Sequence, residues 1–313
     1  MKTSVPPRVI LHLIFLVCSG PALLAQEYID LATFSYTTAL NRSFEDIPTD
    51  GAIQEWNLNL DFPIVLNSKN AFITGISAGS IRVGLYPSSM PSTNLYAISL
   101  RLGINTTYSE KWAGTYLIIP KVASDFTSGF SRGKQIGAIG LLTNTKSNKL
   151  KYTYGLYANS EEFGLLVVPI FGVYYMSEND LFEATILLPI KVDLNYELSS
   201  TTSAGLRFDG LGTSYDIQSP GFPGFTNNYV TRASNELYVY GQLKLTPSLL
   251  LRAKIGHAFF RNYKVYDSDD TIDLSLVGIF FGDNRTILNR DIGDGFQFKT
   301  ELVYRFDLSK KKK

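Results

Sequence analysis

The sequence predicts an all-β chain rolled into a closed antiparallel transmembrane β-barrel of about twelve strands, within a range of about ten to fourteen. Three observations carry that expectation. Long segments place a large apolar residue at every second position, tight polar turns alternate with longer loops, and no stretch beyond the N-terminus is long and apolar enough for a spanning helix.

The alternation is plainest in Trp56–Phe62. Trp56, Leu58, Leu60 and Phe62 share one face, while Asn57, Asn59 and Asp61 share the other, so one strand meets two different solvents. Tyr96–Asn105 likewise sets Tyr96, Ile98, Leu100, Leu102 and Ile104 against Ser99, Arg101 and Asn105. In Asn235–Leu245 the apolar set is Leu237, Val239, Leu243 and Leu245, opposite Glu236, Tyr238, Tyr240, Gln242 and Lys244. Leu249–Phe259 opposes Leu249, Leu251, Ala253 and Ile255 to Arg252 and Lys254. The last strand, Phe296–Leu308, sets Phe296, Phe298, Leu302, Tyr304 and Phe306 against Gln297, Lys299, Glu301 and Arg305. Gly, Pro and β-branched residues interrupt every window before a helical period can establish itself.

Short polar connectors join these segments at Asn67–Asn70, Ser109–Lys111, Lys146–Lys149, Ser177–Asp180, Leu198–Thr201 and Thr246–Ser248. Longer ones, rich in Gly, Pro, Ser and Asn, run over Tyr86–Thr93, Ala123–Gly133 and Ser219–Ala233. Tight turns at one end and long loops at the other are the outer-membrane pattern. If all six tight connectors lie at one end, parity gives fourteen strands, but Leu181–Leu198 must then hold two strands around Pro189. Twelve is therefore preferred, with fourteen close behind. Ile272–Phe281, within Asp267–Gly295, reads either as a strand or as part of a long loop. Closure follows from elementary chemistry: backbone N–H and C=O groups find no water in hydrocarbon, so strands cross only as a sheet without edges.

Residues 1–26 read as a secretory signal peptide, with Lys2 and Arg8 ahead of an apolar run from Val9 to Val17 and a cleavage site near Ala25 or Gln26. Cys18, the only cysteine, lies inside it behind Val17, where a lipid-anchored chain calls for a small residue. The expected organisation is a signal at 1–26, a barrel over 27–308 and a basic tail at 309–313. Hydrophobic residues make up 45% of the chain while mean hydropathy is only +0.03, so apolar and polar residues are finely interleaved. Without Lys2 and Arg8 the 29 basic residues fall to 27, one below the 28 acidic ones, which leaves no electrostatic footprint for nucleic acid.

Four fragments look familiar together: the Leu-x-Leu-x-Phe-Pro pattern ending at Pro63, Phe-Gly-Val-Tyr-Tyr at Phe171–Tyr175, Ile-Leu-Leu-Pro at Ile186–Pro189, and Val-Tyr-Arg-Phe at Val303–Phe306. The chain resembles an uncharacterised group of bacterial outer-membrane barrels, itself loosely similar to the transporter-like barrels of aromatic-degradation pathways. That resemblance implies outer-membrane lipid as the surroundings and a small solute as cargo. The last strand is similar to the signal by which barrel-assembly machinery recognises clients, although Phe306 is followed by seven more residues, Asp307–Lys313.

Candidate lumen-lining residues follow from strand phase: Glu55, Asp61, Arg101, Glu236, Lys244, Arg252, Lys254, Lys299, Glu301 and Arg305. Charges of both signs either line a selective pore or pair into a network that closes it, and Lys254, Lys299 and Arg252 could make a locally positive wall. A hydrolase would need a Ser–His arrangement, but His257, the one histidine past residue 26, shares the phase of Leu251 and Ile255 and points away from the lumen. Tyr28, Phe34, Tyr36, Trp56, Tyr96, Tyr116 and Tyr304 fit the aromatic belts a barrel needs at both interfaces. The Pro220–Phe225 loop offers aromatics between turn formers. No Walker-type loop, dinucleotide fingerprint or His/Cys cluster appears, so no catalytic residue, cofactor or metal is assigned. The expected function is a porin-like channel or transporter. The rivals are a plugged structural or surface-interaction barrel and a soluble exported β-sandwich or calyx-type barrel.

Overall fold

The computed structural model describes residues 28–39, 43–44, 47–48, 53–86, 92–218, 227–290 and 292–307. The expected signal peptide, basic tail and Pro220–Phe225 loop lie outside them.

Fourteen strands build the wall in chain order. They are β1 (Tyr28–Ala39), β2 (Ile53–Asp61), β3 (Asn70–Val83), β4 (Thr93–Thr107), β5 (Trp112–Ser124), β6 (Lys134–Ser147) and β7 (Leu150–Glu161), followed by β8 (Gly164–Met176), β9 (Phe182–Leu188), β10 (Lys191–Glu197), β11 (Thr202–Ile217), β12 (Asn228–Thr246), β13 (Leu249–Asp267) and β14 (Gly295–Asp307). Each pairs antiparallel with the next, and β14 returns to β1 with Phe34 opposite Leu302 and Ser35 opposite Glu301. The sheet therefore closes on itself as an up-and-down barrel.

The preferred count of twelve is corrected to fourteen. Leu181–Leu198 does hold two strands, because β9 and β10 need only seven residues each. They meet at a turn in which the Ile190 amide donates to the Leu187 carbonyl at 2.8 Å. Assuming a uniform span of about ten residues made that hairpin look cramped; the wall is simply lower there.

All six tight connectors lie at the end that also holds the starts of β1 and the end of β14. At the opposite end the connectors are unequal. The turns at Glu162–Phe163 and Pro189–Ile190 are tight, whereas the segments between β1 and β2, β3 and β4, β5 and β6, β11 and β12, and β13 and β14 are longer. The segment 268–294 contains its own two-strand hairpin, Leu274–Leu276 with Ile279–Phe281, so Ile272–Phe281 is strand and loop at once. Val277 and Gly278 turn it with positive φ of 54° and 83°, the geometry of a two-residue hairpin.

Faces follow sequence parity. Phe34, Trp56, Leu100, Tyr154, Leu206, Val239 and Phe298 are exposed on the outside, while Thr37, Glu161, Glu236, Gln242, Lys254 and Glu301 are buried inside. Bulges break the parity: in β1 the register steps between Asp30 and Ala32, so Tyr28 and Asp30 face inward on even numbers and Ser35 and Thr37 on odd ones, and β13 carries another. Ala233 pairs with Asn262 and Asn235 with Phe259, so β13 carries an extra residue at Phe260–Arg261. Inward residues are even-numbered below the bulge, as at Lys254 and Ala258, and odd-numbered above it, as at Arg261, Tyr263 and Val265. Strand β12 also begins earlier than expected, at Asn228, inside the stretch read as the Ser219–Ala233 loop.

Candidate functional site: the barrel interior

Three tiers of side chains fill the interior. At the turn end the Tyr28 hydroxyl donates to both Glu183 oxygens at 2.9 Å, from β1 to β9 on nearly opposite walls. Arg305 lies 3.4 Å above the Tyr28 ring and grips Asp30 at 2.6 and 3.0 Å. Lys244 reaches Glu197 at 3.2 Å.

The middle tier is ionic. Glu301 receives Lys254 at 2.8 Å, with Arg252 at 3.6 Å and Lys299 at 3.9 Å. Asp193 and Asp209 hold Arg207 at 2.8 and 2.7 Å. The Tyr240 hydroxyl donates to Asp193 at 2.8 Å and accepts from Asn195 at 2.8 Å. Arg101 binds Asp61 at 2.9 Å and also contacts the Ser77 hydroxyl. A Cβ at position 75 would stand 2.8 Å from both Arg101 and Asp61, so glycine is what lets this pair sit against the wall. Higher up, Arg232 bridges Glu55 at 2.6 Å and Glu236 at 3.5 Å, spanning from β12 to β2 across the lumen. Glu236 in turn accepts from Tyr238 at 2.7 Å, and Tyr238 accepts from Gln297 at 2.6 Å. On the far side Lys121 joins Glu161 at 3.3 Å and Thr213 at 2.7 Å, and Glu161 accepts from the Ser214 amide and hydroxyl at 2.7 and 2.6 Å.

The loop end is apolar. Ile53, Ile81, Val83, Leu85, Leu95, Tyr215, Ile217, Val230, Tyr263, Val265 and Ile292 form one buried cluster inside the mouth. There β11 crosses to β5, where Asp216 pairs with Ser124 in a short parallel contact and Arg132 holds Asp216 at 2.9 Å. Each such side chain adds about 1.5–3 kcal/mol of burial, so the mouth is a packed core.

Beside the mouth, Arg285 is buried against Tyr266 at 4.3 Å, Phe280 at 4.8 Å and Phe163 at 5.8 Å, with its Nε 2.8 Å from Asp283. Hydrogen bonds from Arg285 hold the Asp283 carboxyl below its ordinary pKa. Burial works against the Arg285 charge, but its bonds to Asp283 and Tyr229 outweigh that and raise its pKa.

All ten candidate residues occupy the side of the wall opposite the exposed apolar set, and each has an oppositely charged partner. Lys254, Lys299 and Arg252, expected to make a locally positive wall, do gather on one stretch of it, and Glu301 stands within reach of all three, its single charge offsetting one of them. His257 lies between the rings of Phe259 at 4.6 Å and Phe296 at 5.0 Å, within an aromatic cluster. Among the described residues no group of three His, Cys, Asp or Glu side chains is placed to hold a metal ion.

Residues 22–270 match the model of a family described as Domain of unknown function (DUF6268). This chain belongs to the DUF6268 family. No curated protein matches it. Among solved structures, this DUF6268 barrel is similar to OprB of Pseudomonas putida, with 10% identity over 89% of this chain and 94% of that one and a TM-score of 0.39. A mutant of the monoaromatic hydrocarbon channel TodX gives 11% identity, 92% and 93% coverage and a TM-score of 0.35. The porin NanC gives 8% identity, 87% and 98% coverage and a TM-score of 0.35. At such values the chain's own strand pairing decides the fold, and these likenesses decide nothing further.

Several interior residues of the DUF6268 barrel escape a reading by strand phase. Arg232 falls in a stretch that looks like loop, yet it holds Glu55 and Glu236 together. Asp193 and Asn195 were legible: Lys191-Val-Asp193-Leu-Asn195-Tyr-Glu197 alternates throughout, and only the assumed span length hid it. Glu161, Glu183 and Arg207 gain meaning only from partners on distant strands.

Proposed function

We propose that this chain is a bacterial outer-membrane β-barrel of the transporter kind, exported by its N-terminal signal, which passes small solutes only when its mouth opens. One observation carries the reading. The outer face of a closed, edgeless sheet is apolar and exposed, while the inner face holds charges that are paired and hydrogen-bonded. A soluble barrel has the opposite polarity, and hydrocarbon outside with ions inside is what a spanning barrel requires. The ten charged residues named above are its lumen lining. The outward alternation of Phe296, Phe298, Leu302 and Tyr304 on β14 supports the last strand as the assembly signal. No chemistry on bound solute enters this reading.

The apolar mouth favours a second reading, a permanently plugged structural barrel, because Leu85, Tyr215 and Tyr263 pack into one buried cluster there. Planar-bilayer recording separates the two. The wild-type protein is expected to lack a permanently open state, and Leu85→Ala with Tyr263→Ala, which hollow the mouth, to give discrete conductance steps. Silence in that variant, with its heat-modifiable gel mobility intact, would leave the plugged reading. Free solubility of the exported chain without detergent would remove both.

A further inference from the structure

Strands β9 and β10 stop seven residues above the turns, whereas their neighbours β8 and β11 run for 13 and 16. The wall therefore has a notch at the loop end. The pairing makes it explicit: β8 meets β9 only over Phe171–Met176, and β10 meets β11 only up to Asp209. The upper part of β8, Gly164–Ile170, is paired with β7 on one side and has no wall strand on the other.

The hairpin of segment 268–294 takes that place. Leu165, Leu166 and Val167 pair in parallel with Leu274, Ser275 and Leu276, reinforced by Ile272 N–H to Phe163 O at 2.8 Å and Val277 N–H to Val167 O at 3.1 Å. In-register neighbours point to the same side of a sheet, so the barrel's own alternation extends across the junction. Leu274 and Leu276 join Leu165 and Val167 on the outside, and Ile279 and Phe281 follow them through the hairpin register. Ser275 and Phe280 face inward with Leu166, and Ser275 is fully buried. The inner face meets Phe163 and Arg285, while the outer face is apolar at every position and open, with Leu165 46%, Ile279 62% and Phe281 48% exposed.

We propose that this outer face is a lipid-contacting patch: acyl chains of the outer leaflet cover Leu274, Leu276, Ile279 and Phe281 as they cover the barrel wall. The proposal rests on the outer-membrane reading and adds that a loop, not a spanning strand, completes the hydrocarbon-facing surface. Continuity fixes the occupant. The patch carries on from Leu165 of β8, whose neighbour on β7 is Ser160 and, one strand further, exposed Ile136 of β6, so no charge intervenes along that row. Its free edge is only three residues long, Ile279–Phe281, which keeps unpaired backbone groups few, and its place above β9 and β10 puts the patch at the loop end of the wall, toward the outer boundary of the band.

Tryptophan fluorescence in phosphatidylcholine vesicles with brominated acyl chains tests this. In a background of Trp56→Phe and Trp112→Phe, Leu100→Trp is expected to be quenched most by chains brominated deep in the bilayer, and Phe281→Trp to be quenched most by chains brominated near the carbonyl end. Quenching at Leu100→Trp without quenching at Phe281→Trp overturns the patch and leaves the spanning barrel standing; absence at both sites overturns the spanning barrel itself. Should the tryptophan-free background fail to fold, Ile279→Cys and Leu100→Cys serve in the otherwise unaltered chain, which has no cysteine past Cys18. Labelling of both by a lipophilic maleimide and of neither by a charged one supports the patch, and charged-reagent labelling at Ile279→Cys alone overturns it.

Discussion

Two hairpins of one wall reach opposite extremes. β9 and β10 hold seven residues each, whereas β12 and β13 hold 19 each and rise past the mouth. The low hairpin supplies Asp193, which anchors Arg207 and Tyr240, but leaves the wall open above it. The tall one carries Tyr263 and Val265 into the apolar mouth, after the bulge at Phe260 has exchanged its faces. Wall height is thus a local property of pairing, and what stands above a low stretch has to come from elsewhere in the chain.

The comparison breaks first at the ionic centre of the tall side. Glu301→Gln leaves Lys254, Arg252 and Lys299 facing one another without their anion, and we expect a loss of about 3 kcal/mol, read as a lower denaturant midpoint of the vesicle-bound barrel. Next comes Val239→Arg, on the outer face of β12, which should cost about 2–4 kcal/mol and reduce assembly, measured by the heat-shifted gel band. The same substitution above the low wall, Ile279→Arg, should cost only about 0–1 kcal/mol in that assay if the hairpin lies near the interface as proposed. Equal losses at Val239 and Ile279 would erase the distinction between spanning wall and loop cover.

The smallest effect concerns the hold of segment 268–294. The Asp283 carboxyl has a pKa below its ordinary value in the folded chain, so its contribution is present above the unfolded pKa and lost as pH falls through the folded one. Proteolytic nicking within 268–294 should rise as pH falls through and below the usual carboxylate range, and Asp283→Asn should reproduce that rise at neutral pH. A pH-independent nicking rate would show that the Asp283–Arg285 pair does not hold the segment.

Much of this was legible from side-chain alternation. Trp56–Phe62, Tyr96–Asn105 and Phe296–Phe306 have the faces their sequence implies, because a strand's period of two ties each side chain's direction to its neighbours in the chain. Phase could also nominate Glu301 and Lys254 for the interior, but it could not say that they meet. The bulge was illegible: Phe259-Phe260-Arg261 carries no signal for the extra residue until the partner strand fixes the register.

By itself, then, the sequence determined the class of sheet, its six tight turns and which residues share a face, since these depend on contacts within a few residues. Strand number, the height of each stretch of wall and the partners across the lumen waited for the tertiary structure. Arg232 and Glu55 lie 177 positions apart, and Leu165 meets Leu274 only because β9 and β10 end early. Ring closure brings such residues together, and no local pattern encodes what a closed sheet sets face to face.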